Sequence, residues 1–167
     1  MFTETFIAKK AFFGDEERSY LFHMPEHYDE TKKYPLVLFL HGAGERGDDN
    51  IAQLRIGIGT ALEDPESPLH EAFIIAPQVP LEKLWVDTPW HVGNYLVDER
   101  EETPYLAGAT QLVRDTIASY PVDENKVFVM GISMGGSGWC YFSDCKGGCS
   151  WTCGSSYSYY VELQDPY

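Results

Sequence analysis

Three short runs of mostly apolar residues constrain the fold of this chain more than any other feature. They span residues 35–40, 72–77 and 126–131, and a glycine or proline lies at or just after the end of each. Runs this short and this apolar are typical of strands buried on both faces, as in a parallel sheet. Between the last two, residues 104–120 carry apolar side chains at helical spacing behind Pro104, which predicts an amphipathic helix. Buried strands that alternate with helices predict an α/β fold with a mostly parallel, doubly wound sheet.

Two further strands are predicted at the start of the chain. Residues 5–13 and 18–24 are rich in β-branched and aromatic side chains, and Gly14, Asp15, Glu16 and Glu17 separate them. A polar segment with glycine between two such runs indicates a turn.

Composition bounds the cellular context. The chain has 167 residues, 44% of them hydrophobic, which suits one folded domain. Its 26 acidic against 12 basic residues give a net charge of -14, so nucleic acid is excluded as a partner because the chain cannot build a basic face. No stretch reaches the roughly 20 apolar residues of a membrane span. These features predict a cytoplasmic protein, or a secreted one if a signal peptide was removed.

Two glycine-rich turns follow two of the predicted strands. The first, here called the glycine turn, covers residues 41–47, and the second, the serine turn, covers residues 131–136. Open α/β sheets bind ligands beyond the carboxyl ends of their strands. Both turns are therefore predicted to belong to one site.

The serine turn contains the pattern G-x-S-x-G, formed by Gly131, Ser133 and Gly135. In this pattern the serine occupies a sharp strand-to-helix turn that presents its hydroxyl above the sheet. Side chains at the two glycine positions would crowd that turn. Ser133 is therefore the candidate nucleophile.

Two backbone amides are candidates for an oxyanion hole, which binds the negative charge of a tetrahedral intermediate. The amide of Met134 lies at the start of the helix predicted after Ser133, where the helix dipole is positive. Ala43, among the small residues of the glycine turn, is the candidate for the second donor. His41 lies in the same turn, where a histidine more often supports the loop by hydrogen bonding than acts as a general base.

Four segments carry a family resemblance in a common order: residues 34–50, 76–78, 85–90 and 127–136. Together they resemble the phospholipase/carboxylesterase and prolyl-oligopeptidase-like esterases of the α/β-hydrolase superfamily. The resemblance implies hydrolysis of small-molecule or carbohydrate carboxylic esters, with acyl groups from acetyl to feruloyl. It also implies an acyl-enzyme on Ser133 and no metal or organic cofactor.

The resemblance further implies that the loop containing Trp85 and Trp90 lines the substrate cleft. The alternative is that these tryptophans pack a long loop onto the core. His91 is expected to be a loop histidine without a catalytic role.

The expected catalytic triad is incomplete in this sequence. α/β-Hydrolases place an acid and then a histidine after the nucleophile, whereas Ser133 is followed by Asp144, Glu162 and Asp165 and by no histidine. Without a base the hydroxyl stays protonated and weakly nucleophilic. Two alternatives to an active esterase therefore remain: an impaired remnant or binding protein, and a serine peptidase of the prolyl-oligopeptidase type.

The composition changes after Gly138. Residues 1–138 are interpreted as the N-terminal part of a single, incomplete α/β-hydrolase domain, and residues 139–167 as an atypical tail that holds all four cysteines. A shifted reading frame is one explanation for the tail, and a metal or disulfide segment is another, although the cysteine spacings match no paired zinc pattern. An incomplete sheet has an open edge and predicts self-association.

Overall fold

The strands of the structure follow the apolar runs of the sequence. The computed structural model describes residues 5–87 and 101–142. Its strands are β1 (Phe6–Phe13), β2 (Glu16–His23), β3 (Tyr34–Leu40), β4 (Phe73–Pro77), β5 (Val86–Asp87), β6 (Glu101–Glu102) and β7 (Val122–Gly131), and its helices are α1 (Ile58–Ala61), α2 (Pro104–Ser119) and α3 (Met134–Phe142). The five predicted strands and the predicted helix are confirmed.

The main sheet has the strand order β1-β2-β4-β3-β7. Its three apolar strands, β4, β3 and β7, pair in parallel, as predicted. The first two strands are antiparallel to their neighbours, so the sheet is mixed. Gly14 has a positive φ of 64° in the two-residue connection between β1 and β2. A connection of that length can join only antiparallel strands.

The sheet is covered on both faces, which confirms the doubly wound α/β class. On one face, α2 and α3 contribute Leu106 and Met134 to a cluster with Leu38 and Ile75 of the sheet. On the other face, the segment around α1 contributes Ile58 to a second cluster. Burial on both faces explains why the parallel strands are almost continuously apolar.

The register of the parallel strands positions the site. Leu40, the last residue of β3, pairs with Gly131, the last residue of β7. Ile75 of β4 pairs with Leu38 of β3, so β4 ends at the same edge of the sheet. The glycine turn and the serine turn therefore leave the sheet side by side.

Helix α2 begins with a side-chain cap. The hydroxyl of Thr103 accepts a hydrogen bond from the amide of Leu106, and Pro104 occupies the first turn. These residues satisfy one of the free amides at a helix start and set the helical φ. The buried face of the helix lies on the sheet, where Gly108 contacts Phe13 of β1.

Several sequence predictions concern residues outside the described ranges. They include Trp90, His91 and the tail beyond residue 142. Within residues 5–87 and 101–142, no helix is long and apolar enough to cross a membrane.

Replacing Gly108 with alanine is expected to destabilise the protein, against the usual preference of helices for alanine. The new Cβ would lie 2.5 Å from Cδ1 and 3.0 Å from Cγ of Phe13. These ring atoms cannot move away as a flexible chain end could, so overpacking should outweigh helix propensity and lower the free energy of unfolding by about 1–3 kcal/mol. Urea denaturation measures the change.

The matched control removes the contact partner. In a Phe13→Ala background, the Gly108→Ala substitution should lose most of its penalty, giving a double variant more stable than the sum of the single effects. An increase in stability for Gly108→Ala alone would show that the helix has room at this position.

Candidate active site

Ser133 lies at the tip of the serine turn in a conformation that few residues adopt. Its φ is 50°, in the left-handed region, and its side chain is exposed. The residue sits between the end of β7 and the start of α3. A non-glycine residue held in this region stores backbone strain, which clusters at functional sites.

The glycines of the pattern are required by close backbone contacts. A Cβ on Gly131 would lie 2.3 Å from the carbonyl oxygen of Gly135, and a Cβ on Gly135 would lie 1.9 Å from that of Leu40. The amide of Ile132 also donates a hydrogen bond to the Leu40 carbonyl, at 3.1 Å. The first turn of α3 is therefore packed directly on the end of β3, with no room for a side chain between them.

The glycine turn lies beside Ser133. A Cβ built on Gly42 would lie 3.5 Å from Cβ of Ser133 and 3.4 Å from the carbonyl oxygen of Ile132. Ala43 follows at the start of a 3-10 turn that spans Ala43–Glu45. The structure thus brings the turn that contains Ala43 next to the candidate nucleophile.

Met134, the other predicted oxyanion residue, is the first residue of α3. Its side chain is buried in the core below the serine turn. The amides of a first helical turn have no acceptor within the helix. The backbone at Met134 is therefore anchored by its side chain, with its amide in the turn that follows Ser133.

His41 anchors the glycine turn from below. Its ring is buried, and Nε2 accepts a hydrogen bond from the amide of Val79 at 3.0 Å. Nδ1 must then carry the proton, which it donates to the carbonyl of Gly42 at 2.7 Å. Burial, helped by the nearby charge of Arg46, lowers the pKa of His41 to about 4, so the ring is neutral near pH 7. Both ring nitrogens are engaged in holding the loop.

Trp85 lies in the core, with no exposed surface. Its indole N–H donates to the carbonyl oxygen of His41 at 3.0 Å, and the two rings meet edge to face with centroids 5.2 Å apart. This geometry favours the alternative that Trp85 packs its loop onto the core, because a fully buried ring has no surface to offer a substrate.

The other described histidines lie at the opposite edge of the sheet. His23 contacts the carbonyl of Ala72, just before β4 begins, and His27 and His70 contact Glu71 and Glu26. Among residues 5–87 and 101–142, then, no histidine is placed to take a proton from Ser133. Within the same ranges, no group of three or more His, Cys, Asp or Glu side chains could hold a metal ion.

One polar residue at the site carried no predicted role. Gln78 follows β4 directly and is 4% exposed, and its side-chain amide contacts the backbone of the glycine turn. The position of this glutamine in the sequence could have predicted a role, because a glutamine at the carboxyl end of a buried strand needs hydrogen-bond partners there.

Comparison with known proteins decides the family. The protein-family model named Esterase matches residues 14–140, which is most of the chain. The chain belongs to this esterase family. No protein of curated function matches the sequence.

Two solved structures resemble this chain. A thermostable esterase is 30% identical, with a TM-score of 0.67 over 81% of this chain and 36% of its own. A ferulic acid esterase is 19% identical, with a TM-score of 0.54 over 80% of this chain and 52% of its own. The sheet and its helices are thus of the α/β-hydrolase type, and the chain spans between about a third and about a half of these esterases.

The backbone strain at Ser133 can be measured by comparing two substitutions that both remove the hydroxyl. Glycine adopts a positive φ freely, whereas alanine does not, so Ser133→Gly should be more stable than Ser133→Ala by about 1 kcal/mol. Chemical denaturation of the two variants gives this difference. Equal stabilities would show that the turn is unstrained.

Burial of neutral His41 should make stability depend on pH. Below about pH 6.5 His41 is protonated in the unfolded chain, whereas in the folded chain it stays neutral down to about pH 4. The free energy of unfolding therefore falls across this interval as pH decreases. The contribution is about 3 kcal/mol. Denaturation of the wild type and of His41→Asn between pH 7 and 4 should show a smaller fall in the variant.

His27 provides the control for this measurement. Its hydrogen bond to Glu71 raises its pKa, so its contribution to stability is present at low pH and is lost as pH rises. Replacing His27 with glutamine should therefore leave the acid-side loss of stability in place. If His41→Asn showed the same acid-side fall as the wild type, another group would be responsible.

Proposed function

We propose that this chain carries the nucleophile and oxyanion half of a serine carboxylic-ester hydrolase. Ser133 is the nucleophile, and the backbone amides of Met134 and Ala43 bind the oxyanion. The single observation that carries the proposal is the strained, exposed Ser133 in the turn from β7 to α3, a turn kept tight by the close contact between Gly135 and the end of β3. Membership of the esterase family supports the same reaction class.

The proposed reaction begins with attack of Oγ of Ser133 on the carbonyl carbon of the ester. The carbonyl oxygen becomes an oxyanion, which the two amides stabilise more strongly than they stabilise the neutral substrate. Collapse of the intermediate expels the alcohol and leaves an acyl-serine, and water then releases the acid. The hydroxyl proton must pass to a base and then to the leaving alcohol, a role that no described histidine is placed to fill.

The proposed substrates are small-molecule or carbohydrate esters, with acetyl and feruloyl as the candidate acyl groups. The solved ferulic acid esterase shares the fold of this chain, and this shared fold is the support for the feruloyl candidate. Trp85 is not included in the proposed cleft, because it is buried, and Trp90 remains a candidate outside the described residues.

A second candidate function is a catalytically impaired remnant or binding protein. The observation that favours it is the placement of the described histidines: His41 is locked in the loop, and His23, His27 and His70 lie at the far edge of the sheet. Such a protein would keep the serine turn but react slowly there, because loss of a triad histidine removes most of the rate enhancement.

Labelling and turnover test the two candidates together. The esterase proposal predicts that the purified chain reacts with a fluorophosphonate probe and hydrolyses p-nitrophenyl acetate, and that Ser133→Ala abolishes labelling and lowers kcat by at least ~10³-fold. Mass spectrometry of the labelled peptide identifies the modified residue.

The control is Ser137→Ala, a buried serine of α3 one turn beyond Ser133 that should leave labelling unchanged. A wild type that neither labels nor turns over ester would contradict the esterase proposal and support the remnant. Turnover of a chromogenic peptide in preference to the ester would instead support a peptidase.

A further inference from the structure

The side chain of Gln78 joins three points of the loop beside Ser133. Nε2 donates to the carbonyl of Glu45 at 3.0 Å and to Oδ1 of Asp49 at 2.9 Å, while Oε1 accepts from the amide of Asn50 at 2.7 Å. A carbonyl and a carboxylate can only accept, and a backbone amide can only donate. The partners therefore determine the orientation of the glutamine amide, and a flipped amide would lose all three bonds.

Asp49 links this glutamine to the next segment. Its Oδ1 also accepts from the amides of Ile51 and Ala52, each at 3.0 Å. Hydrogen bonds from Ala52, Gln78 and Ile51 favour the ionised form and lower the pKa of Asp49. The carboxylate thus binds the amides that lead into the 3-10 turn at Ala52–Leu54 and holds Gln78 at the same time.

The residue between these contacts has a left-handed backbone conformation. Asn50 has a φ of 52°, in the left-handed region that asparagine adopts more readily than other residues with a side chain. The bond from its amide to Oε1 of Gln78 holds it there.

Val79, which follows Gln78 in the chain, binds the same loop through its backbone. Its carbonyl accepts from the amide of Gly47 at 2.9 Å, and its amide donates to His41. Residues 78 and 79 therefore hold the loop at both ends, below the point where Gly42 lies beside Ser133.

We propose that Gln78 and Asp49 form a positioning pair, which determines where the glycine turn places the amide of Ala43 relative to Ser133. This inference rests on the proposed function, because Ala43 matters only if the turn serves an oxyanion. The hydrogen bonds of the pair join segments of the loop and do not hold the sheet, because β4 is held separately by its pairing with β3 and β2. Loss of the pair should therefore displace the loop more than it weakens the sheet.

The substitution Gln78→Glu tests the pair with almost no change in shape. It replaces the donor Nε2 with an oxygen that faces the carbonyl of Glu45 and the carboxylate of Asp49, so one acceptor meets two others. Acidification supplies a proton that the two carboxylates can share, which restores one bond. The other charged side chains around this position are Arg55, at 3.9 Å from Asp49, and Glu17, Arg18 and Asp48, which line the adjacent cavity.

Amide hydrogen exchange gives a readout that does not depend on activity. In Gln78→Glu, after correction for intrinsic rates, residues 41–55 should exchange about tenfold faster than in the wild type at pH 8 and recover protection by pH 5.5. Gln78→Met, which lacks the bonds and the charge, should lose protection equally at both pH values. Asp49→Asn combined with Gln78→Glu removes the like-charge pair and should abolish the pH dependence.

Kinetics with p-nitrophenyl acetate test the positioning role itself. Gln78→Glu should lower kcat at pH 8 by about 10–100-fold with KM changed less than about threefold, and the loss should shrink as pH falls. Ile75→Val, in the core of β4, is the control, because it lowers stability without touching the loop. Unchanged loop protection and kcat in Gln78→Glu would overturn the inference, as would a loss of kcat that merely follows stability in both variants.

The two proposals can fail separately. A wild type without esterase activity would contradict the proposed function. The exchange experiment would then decide the pair by itself, since pH-dependent opening of residues 41–55 in Gln78→Glu supports the pair and unchanged protection overturns it.

Discussion

The contact between the first turn of α3 and the end of β3 is the constraint on which the site depends. Gly135 lies so close to the carbonyl of Leu40 that no side chain fits between them. Because β3 and β7 end in register, this contact forces the chain to reverse sharply at Ser133, and the reversal requires a positive φ. The exposure of the serine is therefore a consequence of how tightly helix and sheet approach each other.

The loop opposite the serine is held by a different means. Its shape comes from buried polar groups: neutral His41 below one end and Gln78 below the other. Such groups are stabilising only when every partner is in place, so a buried polar network specifies one conformation. The apolar core stabilises the sheet, and the polar network determines the conformation of the loop at the end of that sheet.

The features that could be predicted from the sequence are those that depend on a repeating pattern of apolar residues or on the steric requirements of a tight turn. The strand at residues 35–40, the helix at residues 104–120 and the glycine pattern around Ser133 were all recognisable, because burial on two faces, helical spacing and a tight turn each restrict residue types locally. The neighbour relation between β2 and β4 was not predicted, since pairing across about 50 residues leaves no local pattern. The role of Gln78 was missed for the same reason: its partners are 28 to 33 residues away in the sequence.

The N-terminal hairpin, formed by β1 and β2 at the edge of the sheet, contacts the loop beside Ser133. Arg18 of β2 donates to the carbonyl of Gly47 at 3.3 Å and also binds Asp48. One of the first strands of the chain therefore contacts the loop beside Ser133, although none of these three residues belongs to the serine turn. A shortened chain that began after residue 24 would keep the serine turn intact and yet lose a wall of the loop beside it. The hairpin is thus part of the architecture of the candidate site.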